Sequence, residues 1–218
     1  AWWEQELRRE LTMGLKQVLL LAAGLESLPC RQTAEMERMS FYEVDTPAVL
    51  AEKEKRLREV GITTPRNVYR VGVDLAEDWE KTLLEMTPFA TEQRTLTALL
   101  GVVYYLPRAA MEALLKRLAA ITSRGSSLLF DCPMRDFGTG EDAAGQQRAL
   151  AKSAGETMEQ GYTLPELALM LERHGFLIYE DMGPREITER FYARYNETHP
   201  ESPVLPLPGT ALVLAARH

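Results

Sequence analysis

The residues best placed to do chemistry in this sequence are a glycine and an aspartate. The glycine follows one apolar run, and the aspartate ends the next. Gly24 follows the run that begins at Gln17, and Asp45 ends the next one. A glycine after a strand lets a ligand approach the backbone closely. A carboxylate about 20 residues further on can accept both hydroxyls of a ribose. The pair favours a ligand of the adenosine type, although a plain turn at Gly24 and a helix cap at Asp45 explain the same residues.

Two later pairs extend this candidate site. Asp74 and Leu75 follow the third apolar run, where a carboxylate and an apolar side chain could hold the amine and the ring face of adenine. Tyr104 and Tyr105 follow the fourth run. We expect one of these tyrosines to line a substrate pocket and the other to lie in the core. No side chain stands out as a general base, so the catalytic residue stays unknown.

A parallel sheet is needed to bring these residues together. Apolar runs alternate with amphipathic helical patterns, which is typical of an α/β fold with a doubly wound sheet. Ligands bind such sheets beyond the carboxyl ends of the strands. The predicted strands are 17–22, 40–45, 67–73, 95–103, 127–132, 176–180 and 210–216. The predicted helices are 1–14, 47–60, 78–86, 107–122, 164–174 and 184–196.

Composition limits the classes of function. With 218 residues, the chain is expected to form a single domain, and its net charge of −7 argues against nucleic acid as a partner. Cys30 and Cys132 share no metal-ligand spacing with the histidines, so neither a disulfide framework nor a metal site is expected. The longest apolar run is too short for a membrane span, and a cytoplasmic location is expected. The chain begins at Ala1 rather than Met, so we expect a natural segment to precede it.

Five blocks of sequence occur in order between residues 17 and 132. They are 17–27, 42–47 with Lys53, 74–79, 104–107 and 125–131. Together they resemble the S-adenosylmethionine-dependent methyltransferases related to leucine carboxyl methyltransferase and to the polyketide-tailoring O-methyltransferases. The helix, glycine and strand at 164–180 extend the resemblance.

The resemblance implies a Rossmann-like, seven-stranded sheet that is mostly parallel, with an antiparallel last strand. It also implies that S-adenosylmethionine is the cofactor. Gly24 would pass close to the methionine part, Asp45 would bind the ribose, and Asp74 with Leu75 would hold the adenine. The predicted cofactor-binding set is completed by Ala22, Ala23 and Leu100. The implied reaction is methyl transfer to an oxygen of a small-molecule or carboxylate acceptor.

Three positions differ from the usual pattern of this family. The family usually has glycine, aspartate and glutamate where this chain has Ala22, Glu26 and Leu100. These differences motivate a second hypothesis, a catalytically weakened cofactor-binding or scaffold protein. A third hypothesis is an NAD-dependent oxidoreductase. It is disfavoured because a three-glycine fingerprint is missing and no second domain is available for a substrate.

Three stretches interrupt the sheet pattern and are expected to cover the substrate. They are 1–15, 134–162 and 185–208. Loops and additional helices on a rigid sheet are the usual carriers of substrate specificity. The sequence does not indicate an oligomeric state.

Overall fold

The computed structural model describes residues 2–135, 161–207 and 209–218 of the protein. Seven strands form one sheet in the order β3-β2-β1-β4-β5-β7-β6. The strands are β1 Gln17–Leu21, β2 Ser40–Asp45, β3 Val68–Gly72, β4 Thr95–Leu99, β5 Ser127–Pro133, β6 Phe176–Met182 and β7 Thr210–Arg217. The main helices are α1 Trp2–Thr12, α2 Pro47–Glu59, α3 Trp79–Met86, α4 Arg108–Ile121 and α5 Leu164–Arg173.

The predicted α/β fold is confirmed. Strands β1 to β5 pair in parallel, and β7 runs antiparallel to both of its neighbours, β5 and β6. Strand order reverses at β1, because β2 and β3 extend the sheet to one side and β4 and β5 extend it to the other. A crevice therefore opens beyond the carboxyl ends of β1 and β4, where such sheets bind ligands.

Helices cover both faces of the sheet, as a doubly wound fold requires. Successive residues of β1 point to opposite faces, so that Leu19 joins one buried cluster and Leu20 the other. Helices α3, α4 and α5 contribute to the first cluster. Helix α1 contributes Trp2, Trp3 and Leu7 to the second cluster. All five residues of β1 are buried, which explains why the four that follow Gln17 are apolar.

Helix α1 spans the sheet from its carboxyl edge to its amino edge. Near the amino edge, the Glu10 carboxylate accepts a hydrogen bond of 2.6 Å from the Ser127 hydroxyl and pairs with Arg94. At the other end, Trp3 reaches the loop that follows β1, where its indole N–H donates to Glu26. The helix is thus fixed at both ends against the sheet.

One predicted strand is wrong in extent, and one predicted helix contains a turn of a different type. Strand β4 was expected to reach residue 103, but it ends at Leu99, because Gly101 takes a φ of +72° and a 3₁₀ turn follows at Val103–Tyr105. The helix expected at 184–196 is present as a continuous helical segment from 184 to 198, hereafter the broken helix. It consists of an α-turn at Pro184–Ile187, a π-helical turn at Thr188–Tyr192 and a short helix at Ala193–Thr198. A π-helical turn changes the hydrogen-bond pattern from i→i+4 to i→i+5 and so interrupts a continuous α-helix.

Three stretches are expected to cover the substrate. Most of the stretch 134–162 falls outside the described residues, because the structure does not describe 136–160. The stretch 1–15 is largely helix α1, and 185–208 contains the broken helix. Within residues 2–135, 161–207 and 209–218, no helix combines the length and the apolar character needed to span a bilayer.

Candidate functional site

The loop after β1 begins with an unusual backbone conformation. Ala22 has a φ of +48° and is the one non-glycine residue with a positive φ in the described part of the chain. Gly24, two residues later, has a φ of +51°. The left-handed region costs an L-residue with a Cβ about 1–2 kcal/mol, whereas glycine adopts it freely. Strain of this kind is concentrated at functional sites, so the loop itself is a candidate.

The Asp45 carboxylate at the end of β2 holds this loop. Its Oδ2 accepts a hydrogen bond of 2.8 Å from the Gly24 N–H, and its Oδ1 accepts one of 2.7 Å from the Thr46 N–H. The residue is buried. Asp45 therefore orders both the glycine turn and the start of α2. A carboxylate has about four lone-pair sites, so both oxygens keep capacity for a ligand hydroxyl.

A cavity of about 270 Å³ lies beyond the carboxyl ends of β1 and β4. Four of the predicted residues line it together: Ala22, Ala23, Gly24 and Leu100. The remaining lining residues are Trp3, Leu20, Leu21, Leu25, Glu26 and Ala98. Pockets that enclose a whole drug-sized ligand measure about 300–1,000 Å³, so this cavity suits one end of a larger ligand.

The other predicted cofactor-binding residues lie at or just beyond the ends of β2 and β3. The Val73 N–H donates to the Asp45 carbonyl at 2.9 Å, which holds the end of β3 against the end of β2. Asp74 follows directly and is exposed, with its Oδ1 accepting from the Ala76 N–H. Leu75 is half-buried against the core. A ligand that left the cavity over β2 would meet Asp45 first and then Asp74 and Leu75.

The β4–β5 side of the crevice carries an acid to which the sequence analysis gave no role. The Oδ1 of Asp131, near the end of β5, accepts a hydrogen bond of 2.6 Å from the Gly101 N–H. Burial raises the pKa of Asp131, although this N–H and the Tyr104 hydroxyl favour its ionised form. Tyr104 is buried and its hydroxyl lies 2.9 Å from the Thr210 hydroxyl, whereas Tyr105 is partly exposed. The position of Asp131 near the carboxyl end of a predicted strand was the signal that could have identified it.

Glu26 was also not predicted as a site residue. It belongs to the loop after β1 and lines the cavity together with Leu100. The sequence showed that Glu26 replaces the aspartate that the family usually has at this position. It did not show that Glu26 lines the cavity, because the Trp3 indole of α1 helps to hold the carboxylate there. No group of three or more His, Cys, Asp or Glu side chains in the described ranges is arranged to hold a metal ion.

A larger cavity of about 740 Å³ lies at the opposite edge of the sheet. It is lined by the end of α1 and by residues that precede β1 and β2, among them Leu15, Met36 and Met39. No described residue at the carboxyl end of a strand lines this larger cavity, and no predicted site residue lines it. The smaller cavity is therefore the better candidate for the chemistry.

Comparison with known proteins gives an independent indication of the family. A family model described as leucine carboxyl methyltransferase matches residues 1–119, more than half of the chain. A curated relative from Bacillus subtilis (strain 168), named putative S-adenosyl-L-methionine-dependent methyltransferase YktD, is 30% identical over 197 residues. That match covers 88% of this chain and 64% of the relative, so the chain spans less than two thirds of the relative's length.

Solved structures share the fold at low sequence identity. The mitomycin 7-O-methyltransferase MmcR superposes with a TM-score of 0.61 at 14% identity, covering 94% of this chain and 50% of that one. The O-methyltransferase NcsB1 from neocarzinostatin biosynthesis has a TM-score of 0.56 at 16% identity, covering 94% and 49%. Its structure was solved in complex with S-adenosylmethionine and 2-hydroxy-5-methyl naphthoic acid. At these identities the likeness supports the fold.

Proposed function

The chain belongs to the leucine carboxyl methyltransferase family, and on that premise we propose that it is an S-adenosylmethionine-dependent methyltransferase that acts on an oxygen atom of its acceptor. The observation that carries the proposal is the cavity beyond β1 and β4, together with the hydrogen bond by which Asp45 at the end of β2 holds the Gly24 backbone in the cavity wall. This arrangement offers one elongated ligand a cavity beyond β1 and β4 and a carboxylate at the end of the neighbouring strand β2.

The residues of this region fit the two ends of S-adenosylmethionine. The cavity is lined mostly by aliphatic side chains, which suit the methylene groups of the methionine part. A Cβ added at Gly24 would meet only the Ala22 carbonyl oxygen, at 3.9 Å, so the backbone there is open to a ligand. Asp45 would accept the ribose hydroxyls, and Asp74 with Leu75 would hold the adenine. The methionine part would then occupy the cavity and the nucleoside would lie over the ends of β2 and β3.

The chain's task in such a reaction is positioning and the exclusion of water. The cofactor, when bound, supplies a methyl group on a positively charged sulfur. Little charge has to be created by the protein, so orientation of the reactants contributes most of the acceleration. Gly24 and Asp45 would fix one reactant from the β1–β2 side, and Trp3 would shield the cavity from the α1 side.

The acceptor would enter from the β4–β5 side, because the β1–β3 side is assigned to the nucleoside. Asp131 and Tyr104 lie on the acceptor side, and Tyr105 is exposed enough to contact a substrate. A hydroxyl acceptor would give its proton to a base, and we assign this role to Asp131 because it lies near the end of β5 on the acceptor side. A carboxylate acceptor needs no base. Two of the structural neighbours are titled O-methyltransferases, which supports oxygen as the acceptor atom.

We infer that residues 1–15 and 185–208 help to cover a small acceptor within a single domain. Helix α1 already contributes Trp3 to the cavity, and Phe191 and Tyr192 of the broken helix pack against the same buried cluster as α1. The net charge of −7 supports a small acceptor over a nucleic acid.

Calorimetric titration with S-adenosylmethionine and S-adenosylhomocysteine tests the proposal. We expect both to bind the full chain at micromolar concentrations, and NADH to leave the protein's fluorescence unchanged. No binding of either compound at high micromolar concentration would refute the proposal. A marked gain of affinity in Leu100→Glu would favour the catalytically weakened scaffold, because it would mean that the natural residue leaves the cofactor site incomplete.

A further inference from the structure

Among the residues that line the cavity, Glu26 is the one with an ionisable side chain. The methionine part of S-adenosylmethionine carries a positively charged α-ammonium group beside its carboxylate. We propose that the Glu26 carboxylate binds this ammonium group and so determines how the methionine part is oriented in the cavity. The inference rests on the proposed function, since it assumes that the cavity receives this cofactor.

The Glu26 carboxylate is held in a fixed position by two donors. Its Oε1 accepts a hydrogen bond of 2.7 Å from the Leu28 N–H, and its Oε2 accepts one of 3.2 Å from the Trp3 indole N–H. Each oxygen keeps a lone pair for a third donor. A binding group whose rotamer is already fixed loses little entropy when the ligand arrives.

The charge of Glu26 is not balanced by a neighbouring cation. The carboxylate is half-buried, and no Lys, Arg or His of residues 2–135, 161–207 and 209–218 forms a salt bridge with it. Arg31, a nearby cation in sequence, pairs with Glu4 instead. A partly desolvated carboxylate gains from a cationic ligand, because a charge-assisted hydrogen bond there is stronger than a neutral one.

The other described residues that line the cavity carry no charged side chain. Leu100 and Ala98 face the cavity from the β4 side, and the β1 side is formed by Leu20 and Leu21. An ammonium group placed among these aliphatic side chains would lose its hydration without compensation. Glu26 is therefore the group in the cavity wall that can compensate this loss.

The test compares two probes that differ only in the amino acid part. S-adenosylhomocysteine carries the ammonium group, whereas 5′-methylthioadenosine has the same nucleoside and sulfur without it. We expect Glu26→Gln to weaken S-adenosylhomocysteine binding at least tenfold in calorimetry and to leave 5′-methylthioadenosine binding within about twofold. Glu26→Asp, which keeps the charge, should lie between the natural protein and Glu26→Gln.

Glu37→Gln is the matched control, because Glu37 is an exposed acid that does not line this cavity. It removes the same net charge and should leave both affinities unchanged. Equal losses for the two probes in Glu26→Gln would mean that Glu26 only supports the loop and α1, and would overturn the inference. An unchanged affinity for S-adenosylhomocysteine would overturn it as well. If the natural protein binds neither probe, the proposed function fails rather than this assignment.

Discussion

Gly24 and Asp45 are joined by a hydrogen bond of 2.8 Å from the Gly24 N–H to the Asp45 Oδ2. The bond links the turn after β1 to the end of β2 across two neighbouring parallel strands. The two residues that the sequence singled out are therefore in direct contact, and each fixes the position of the other. Asp45 has a structural role that exists without any ligand.

Asp45→Ala should lower both stability and cofactor affinity. The N–H groups of Gly24 and Thr46 would lose their acceptor, which we expect to cost about 1–3 kcal/mol in the free energy of unfolding. Urea denaturation and calorimetry with S-adenosylhomocysteine measure the two effects. Asp74→Ala is the control, because Asp74 is exposed and should lose affinity with little change in stability. Equal stability losses in the two variants would contradict the structural role of Asp45.

Ala22→Gly should stabilise the protein. The φ of +48° at residue 22 is strained for alanine and relaxed for glycine. Because glycine also loses more entropy on folding, we expect a net gain of about 0.5–1 kcal/mol in the free energy of unfolding. Ala23→Gly in the same loop should instead cost about 0.5–1 kcal/mol, since Ala23 is buried and does not have a positive φ. A loss of stability in Ala22→Gly would contradict the strain.

Glu43→Gln should be strongly destabilising. Glu43 of β2 is fully buried and pairs with Lys53 at 2.7 Å and Arg70 at 2.9 Å. Removing its charge leaves Lys53 buried without an opposing carboxylate, which we expect to cost about 3–5 kcal/mol by urea denaturation. Lys53→Met should cost clearly less, because Glu43 keeps Arg70 and methionine fills a similar volume. Equal losses would contradict this explanation, because they would show that the unpaired charge of Lys53 is not what makes Glu43→Gln costly.

Asp131→Asn should change how stability depends on pH. Burial raises the pKa of Asp131 in the folded protein above its value of about 4 in the unfolded chain. Between these two values the folded state binds more protons, so ionisation of Asp131 lowers stability as the pH rises. Asparagine removes this effect while keeping an acceptor for the Gly101 N–H. The free energy of unfolding of the variant, relative to that of the natural protein, should therefore increase from pH 4 to pH 7. Urea denaturation at both pH values measures this difference, and a difference that stays constant would contradict the prediction.

The first half of the fold was largely predictable because it is encoded locally. β1 is apolar from Val18 to Leu21, and Phe41, Tyr42 and Val44 supply the apolar side chains of β2. Thr46 with Pro47 marks the start of α2 through a hydroxyl that accepts from the Val49 N–H. The end of β4 was missed because the apolar sequence continues past Leu99 to Val103, while Gly101 turns the backbone. The π-helical turn at Thr188–Tyr192 gave no local signal.

The candidate site was predictable only in part. Gly24 and Asp45 follow from strand ends, and their contact follows from the parallel pairing of β1 with β2. Glu26 could not be recognised as a lining residue, because its orientation depends on the Trp3 indole, 23 residues away in sequence and on a different element. Recognising Asp131 as a site residue required knowing that the Gly101 N–H contacts it. This contact was missed because β4 was predicted to extend through residue 101.

The placement of β7 between β5 and β6 has a consequence for synthesis on the ribosome. Strand β6 pairs with β7 and not with β5, so β6 cannot join the sheet until the later strand has been translated. During elongation, β5 therefore presents an unpaired edge to solvent or to chaperones. A nascent chain halted before residue 210 should be captured by chaperones that recognise extended segments, and completing β7 should release it.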